Sequence, residues 1–78
     1  MADSWMGKKV KIVRDDNPDR EVAGTAGLLQ PPDVGDTGEV TYEYPDPDSR
    51  VTVEKKDEAG NTIWFADFHR NELELASD

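Results

Sequence analysis

Short stretches in which hydrophobic and polar residues alternate recur along the chain, and a period of two is typical of β-strands. These stretches are rich in Val, Thr and aromatic residues. They are separated by segments rich in Pro, Gly, Asn and Asp, which are typical of turns. The predicted strands cover residues 8–14, 37–44, 50–56, 62–66 and 73–75.

The alternation also assigns side chains to the two faces of each strand. In the strand over residues 62–66, Ile63 and Phe65 share a phase that we assign to the core, so Trp64 is expected to point outward. The other sets expected to share a face are Val10 with Ile12, Val40 with Tyr42 and Tyr44, and Val51 with Val53.

The connections between the predicted strands differ in length. Residues 15–36 form one long connection after the first strand, whereas residues 45–49 and 58–61 have the composition of tight turns. Before the last strand, Asp67 is expected to act as the N-cap of a short 3-10 turn that runs through Arg70.

A chain of 78 residues is long enough for one domain, here expected to span residues 1–78. We expect an ordered core over about residues 7–76 and a flexible N-terminal tail over residues 1–6. Five short strands in so few residues need closure or near-closure to protect their edges and to share one core. The sequence therefore predicts an all-β fold, a small five-stranded barrel.

Four segments carry a resemblance to a known fold. They are residues 7–12, residues 34–40, Val51-Thr52-Val53, and Trp64-Phe65-Ala66 followed by Glu72-Leu73-Glu74. With these segments, the chain resembles an SH3-like barrel across roughly residues 7–76. It looks like KOW-type barrels and like the small barrel subunits of photosynthetic and nitrogen-fixation complexes.

The resemblance implies more about architecture than about activity, because this fold hosts many unrelated functions. In such barrels the segment from Gly35 to Gly38 turns the long loop into the second strand, where the backbone must bend sharply while another strand passes close. Relatives of this kind mostly bind proteins, RNA or larger complexes and are not enzymes.

Charge is unevenly distributed along the chain, whose net charge is −9. Basic residues concentrate in residues 8–14 and acidic residues in residues 15–48. An acidic surface repels phosphate backbones, which makes nucleic acid an unfavourable partner. The chain has no apolar run of membrane-spanning length and no secretory signal, so we expect a cytoplasmic protein with no membrane partner.

The sequence offers little for metal or cofactor binding. There is no cysteine, which excludes a disulfide scaffold, a thiol nucleophile and any Cys-ligated metal site. Asp15, Asn17 and Asp19 have the spacing of the start of an EF-hand. However, Arg20 stands where that loop needs glycine and Ala26 where it needs a bidentate glutamate. We therefore expect no metal and no cofactor.

Catalysis is not expected either. His69 is the only histidine, and the serines lie in tails or turns without an elbow motif around them. Residues 24–27 read Gly-Thr-Ala-Gly, which lacks the Lys of a phosphate-binding loop. A barrel this small is filled by its own side chains, which leaves little room for a substrate cleft.

Aromatic residues on neighbouring predicted strands are the feature with most functional potential. An exposed Trp beside Tyr is typical of a protein-binding hot spot. The candidate binding residues are Tyr42, Tyr44, Trp64 and Phe68. We expect a monomeric, non-catalytic interaction or accessory module that docks another protein or a larger complex through this patch and the acidic loop.

The alternative is a KOW-type barrel that binds nucleic acid. In this hypothesis the basic first strand meets phosphates while aromatic residues stack on bases. The residues that would carry it are Lys8, Lys9, Lys11 and Arg14. Such binding is steeply salt-dependent. The overall acidity favours the protein-binding hypothesis.

Overall fold

The structure is a computed structural model that describes residues 4–17, 19–45 and 47–76, and in these residues the chain forms one antiparallel sheet of six strands. A 3-10 turn, Arg70–Glu72, precedes the last strand. The described residues include no helix long and apolar enough to cross a membrane. The strands are β1 (Lys9–Ile12), β2 (Val22–Ala23), β3 (Thr37–Glu43), β4 (Arg50–Lys56), β5 (Thr62–His69) and β6 (Leu73–Leu75).

The strand order is β2-β5-β4-β3-β1-β6, so β2 and β6 are the two edges and the sheet does not close. The all-β prediction is confirmed, whereas the described residues form six strands instead of the predicted five and their sheet is not a closed barrel. The additional strand, β2, lies inside the long connection and pairs with Ala66 and Phe65 of β5. Two residues are too few to produce a visible alternation, which is why the sequence did not reveal this strand.

Strand β5 runs further than its sequence predicts. It extends to His69, and the 3-10 turn begins at Arg70, so Asp67 is not the expected N-cap. Asp67 pairs with Thr52 of β4 inside the ladder. Its carboxylate accepts hydrogen bonds from side chains of neighbouring strands rather than from the following turn, which keeps this part of the backbone extended.

The core lies on one side of the sheet, which we call the inner face. The expected shared faces of Val10 with Ile12 and of Val51 with Val53 are confirmed, since all four side chains are buried. Trp64 and Phe68 are the largest buried side chains, and their ring centroids lie 5.9 Å apart. The core consists of Val10, Ile12, Val40, Val51, Val53, Trp64, Ala66, Phe68 and Leu73.

The predicted phase of β5 is wrong. Trp64 is 1% exposed and Phe65 is 43% exposed, the reverse of the expectation. The register explains the difference, because Ala66 lies opposite the buried Val53 and therefore places the even-numbered residues of β5 on the inner face.

Strand β3 contains a β-bulge that changes the face of its aromatic residues. Val40 lies opposite Val53 and Tyr42 lies opposite Thr52, so Thr41 is an extra residue in the ladder. Val40 is buried while Tyr42 is 51% exposed. The expectation that Val40 and Tyr42 share one face is therefore wrong.

Two glycines shape the entry into β3, as the resemblance implied. Gly35 has a φ of +98°, a left-handed conformation that other residues rarely adopt. A Cβ on Gly38 would lie 2.7 Å from Val53 Cγ1 and 2.8 Å from the Glu54 carbonyl oxygen. The first glycine permits the bend, and the second permits β4 to pass close to β3.

Ser4 and Trp5, which the sequence assigns to a tail, contact the sheet through Glu43. The Glu43 carboxylate accepts hydrogen bonds from Ser4 Oγ at 3.0 Å and from the Trp5 backbone N–H at 3.1 Å. Arg70 donates to the same carboxylate at 2.6 Å and stacks on the Trp5 ring. The N–H of Trp5 and the Arg70 guanidinium hold the pKa of Glu43 below its ordinary value. Trp5 also packs against the core.

Candidate interaction surface

The side of the sheet opposite the core, which we call the outer face, carries the exposed aromatic side chains of the strands. The register places Tyr42 beside Thr52 and Thr52 beside Asp67, across β3, β4 and β5. Phe65 lies two residues before Asp67 in β5 and therefore projects to the same face. Central strands thus supply the side chains of this surface, which gives it a rigid base.

Hydrogen bonds to Asp67 fix the middle of the outer face. Tyr44 Oη donates to Asp67 Oδ2 at 2.6 Å, and Thr52 Oγ1 donates to Asp67 Oδ1 at 2.6 Å. The hydrogen bond to the Asp67 carboxylate, together with burial, raises the pKa of Tyr44 above its ordinary value. The phenol therefore stays protonated and remains a donor to Asp67.

Arg50 packs on the other side of Tyr44. Its guanidinium carbon lies 4.5 Å from the Tyr44 ring centroid, and its Nη2 lies 2.7 Å from Asp48 Oδ2. The side chain and backbone N–H of Arg50 lower the pKa of Asp48 to about 2. The Tyr42 ring meets the Tyr44 ring edge to face, with centroids 5.1 Å apart. Tyr44 is thus held from three directions.

An open groove of about 570 Å³ crosses the outer face between β2 and β4. Phe65 and Tyr44 supply aromatic walls, and Glu21 and Asp67 bring carboxylates to the same space. We call this feature the outer-face groove and define it by Glu21, Ala23, Tyr44, Thr52, Phe65 and Asp67. Its residue composition suits a ligand that is partly apolar and carries positive charge.

The sequence-predicted binding residues are divided between the two faces. Tyr42 and Tyr44 lie on the outer face, whereas Trp64 and Phe68 are buried in the core and are not available to a partner. Phe65, which the sequence assigns to the core, is the aromatic residue that lines the groove. The signal that could have found it is Asp67, which shares the phase of Phe65 and predicts that this phase faces solvent.

The acidic loop reaches the groove through Glu21. Other acids of the loop are paired within the chain: Asp15 lies 2.9 Å from Arg20, and Asp16 lies 2.9 Å from Arg14. The loop's negative charge is therefore partly neutralised before any partner arrives.

A buried ion pair attaches the loop to the end of the sheet. Arg20 Nη2 lies 2.5 Å from Glu72 Oε2, with side chains only 6% and 1% exposed. The Arg20 guanidinium carbon lies 3.9 Å from the centroid of the Phe68 ring. The pKa of Glu72 lies below its ordinary value. Burial alone would raise it, but this effect is outweighed by hydrogen bonds from the N–H groups of Asp16 and His69 and by the Arg20 guanidinium. This pair fixes the position of the residues that lead into Glu21 and β2.

The basic residues of the first strand are interleaved with acids. Lys9 lies opposite Glu39, and Lys11 lies opposite Glu74. Arg14 is paired with Asp16, as described above, and the side chain of Lys8 is exposed. The four residues of the nucleic-acid hypothesis therefore lie in a stripe of mixed charge.

The structure brings Ser49 and His69 together, which the sequence did not suggest. Ser49 Oγ lies 3.2 Å from His69 Nδ1 in an exposed turn. The Asp67 carboxylate hydrogen-bonds to Tyr44 and Thr52 and does not orient the ring. Within residues 4–17, 19–45 and 47–76, no group of His, Asp and Glu side chains could hold a metal ion.

Comparisons with protein-family models, with curated proteins and with solved structures give no match for this chain. The candidate site is therefore defined by its own geometry. It combines exposed aromatic rings on central strands, carboxylates at the groove and an internal hydrogen-bond network that holds them.

Proposed function

We propose that this protein is a non-catalytic interaction module that docks a partner protein through the outer-face groove and the adjoining Tyr42. The observation that carries the proposal is the exposure of Phe65 and Tyr42 on central strands, at 43% and 51%. Aromatic residues held on a rigid surface lose little conformational entropy on binding, which makes them effective anchors.

We also propose that the chain is a divergent SH3-like barrel whose edges remain open. Three features support this: the consecutive pairing of β3, β4 and β5, the position of β1 beside β3, and the 3-10 turn before β6. The close approach at Gly38 is a fourth. The resemblance concerns architecture and names no partner.

A protein partner is favoured over nucleic acid by the distribution of charge. The groove contains carboxylates, and the lysines of β1 lie beside acids of β3 and β6. The net charge of −9 adds a long-range repulsion of phosphate. Both the local carboxylates and the net charge disfavour nucleic acid as the partner.

The test is affinity capture from a lysate of the source cells with wild type, Phe65→Ser and Leu75→Ser. Leu75 is a matched control, because it is 45% exposed but lies on β6, away from the groove. We expect Phe65→Ser to lose the captured protein and Leu75→Ser to keep it. Circular dichroism of each variant checks that the fold is retained. Retention by both variants, or loss by both, would contradict the proposal.

A salt titration tests the nucleic-acid alternative. We expect no binding of the wild type to RNA or single-stranded DNA at low salt. Salt-sensitive binding that disappears in a Lys9→Gln, Lys11→Gln variant would replace the present proposal with the alternative.

A further inference from the structure

The molecule combines arginine, an aromatic ring and a carboxylate repeatedly. In three places a guanidinium stacks on a ring while it also pairs with an acid, at guanidinium-to-centroid distances of 3.9, 4.5 and 5.7 Å. The three sets are Arg20 with Phe68 and Glu72, Arg50 with Tyr44 and Asp48, and Arg70 with Trp5 and Glu43.

The outer-face groove contains a further ring, Phe65, and the carboxylate of Asp67, whereas the groove's other ring, Tyr44, already carries the Arg50 guanidinium. Phe65 lies two residues from Asp67 on the same face, which separates their Cα atoms by about 6.6 Å along the strand. All arginines of the chain lie in the described residues, and none of them stacks on Phe65. The groove is therefore an incomplete version of an arrangement that the protein completes elsewhere.

Asp67 retains capacity for a ligand. Each of its oxygens accepts one hydrogen bond, from Tyr44 and from Thr52. A carboxylate offers about four acceptor positions, so both oxygens can accept a further donor. Glu21 adds a second carboxylate at the groove, and the net charge of −9 draws cationic segments toward the protein.

We propose that the outer-face groove binds an arginine side chain of the partner protein, with its guanidinium against Phe65 and hydrogen-bonded to Asp67. Arginine fits better than lysine, because a planar guanidinium stacks on a ring while its edge donates to a carboxylate. The inference rests on the proposed function, since it names the chemistry of the partner that docks at the same groove.

The experiment is an NMR titration of the 15N-labelled protein with the blocked peptide acetyl-Gly-Arg-Gly-Arg-Gly-amide. Two parallel peptides replace arginine by lysine or by citrulline, which keeps the planar shape but carries no charge. We expect shifts centred on Thr52 and residues 65–67. We also expect lysine to bind about fivefold more weakly and citrulline to show no saturable binding, since the charged, planar donor group is lost.

Charge-matched variants distinguish binding at the groove from general electrostatic attraction to an acidic protein. Asp67→Asn and Glu39→Gln each remove one negative charge, and Glu39 lies on β3 outside the groove. We expect Asp67→Asn to weaken the arginine peptide about tenfold, which corresponds to about 1.4 kcal/mol, and Glu39→Gln to weaken it less than twofold. Phe65→Ala provides a second variant that is independent of the Asp67 network, and it should weaken binding as well.

Equal weakening by Asp67→Asn and Glu39→Gln, equal affinity for the lysine peptide, or shifts centred elsewhere would each overturn the inference. So would the absence of binding by the arginine peptide. If that peptide fails while capture from lysate still depends on Phe65, the proposed function stands and the arginine inference falls. If capture is independent of Phe65, the proposed function fails whatever the peptides do.

Discussion

The two faces of β5 use aromatic residues for different purposes. Trp64 and Phe68 point inward, where they are almost completely buried, while Phe65 projects to the outer face and is 43% exposed. Adjacent residues of one strand therefore have different roles: Trp64 stabilises the fold, whereas Phe65 is available to a partner. Burial of an aromatic side chain favours the folded state by an amount that scales with the apolar area removed from water. An exposed ring leaves that free energy available for binding a partner.

The surroundings of the two faces differ in the same way. Inner-face aromatics pack against Val, Ile and Leu, whereas Tyr44 on the outer face is held by a hydrogen bond to Asp67 and by stacking of Arg50. Polar contacts fix the orientation of a ring without covering it. The comparison predicts that inner-face substitutions act on stability and outer-face substitutions act on binding.

The largest expected effect is that of Trp64→Ala. Removal of a buried Trp leaves a cavity and costs about 3–5 kcal/mol of unfolding free energy. Urea denaturation followed by circular dichroism measures this change. The matched control is Trp64→Phe, which keeps an aromatic ring and removes an indole N–H that has no hydrogen-bond partner in the described residues. It should cost clearly less than Trp64→Ala. A loss below about 1 kcal/mol for Trp64→Ala would contradict the assignment of this face to the core.

An intermediate effect is expected for Glu72→Gln at the end of the inner face. The substitution removes the buried one of the two carboxylates that pair with Arg20 and leaves only Asp15, and we expect a loss of roughly 3 kcal/mol at neutral pH. The control is Glu74→Gln, an exposed acid of β6, which should change stability by less than about 0.5 kcal/mol. Similar losses for the two variants would show that the ion pair does not hold the loop.

The same pair predicts how stability depends on pH. Because the pKa of Glu72 is lowered in the folded state, its contribution is present above its ordinary pKa of 4.5 and is lost as the pH falls through the folded value. The pKa values of Glu43 and Asp48 are also lowered, that of Asp48 to about 2, so these two carboxylates also stabilise the fold less as the pH falls. The unfolding free energy of wild type should therefore decline below pH 4.5, and the curve of Glu72→Gln should decline less. Parallel curves would contradict this assignment.

The smallest effect on stability is expected for Phe65→Ala on the outer face. Phe65 lies outside the core but is more than half covered, so we expect a loss of about 1 kcal/mol, well below that of Trp64→Ala, measured by the same urea denaturation. A loss as large as that of Trp64→Ala would remove the distinction between the two faces. A small loss of unfolding free energy combined with loss of partner binding would support the distinction.

The sequence predicted those parts of the fold that depend on local pattern. Strands β4 and β6 have the predicted bounds, because alternating valines or leucines lie between clear turn residues. The roles of Gly35 and Gly38 were also predicted. Strand β2 was not, because its two residues are extended only through pairing with β5, a contact between residues far apart in the sequence.

The candidate site was predicted in part. The sequence predicts Tyr42 and Tyr44 as binding residues because they lie among aromatic residues on neighbouring strands, although the exposed Trp64 expected beside them is buried. The pattern of residues 62–66 places Phe65 on the wrong face, because the polar Asp67, which shares the phase of Phe65, lies beyond that segment but inside β5. The groove itself could not be predicted, since Glu21 and Ala23 reach it only after β2 docks against β5.

The extra residue of β3 has a consequence for how this sequence is aligned with other sequences. Thr41 is the point at which the strand changes from presenting Val40 inward to presenting Tyr42 outward. Without Thr41, Val40 would directly precede Tyr42 in a regular ladder, and the two side chains would still lie on opposite faces. A gap placed at Thr41 in an alignment therefore marks a protein that lacks the bulge but presents the same tyrosines outward, whereas a strand of unchanged length without the bulge would turn them toward the core.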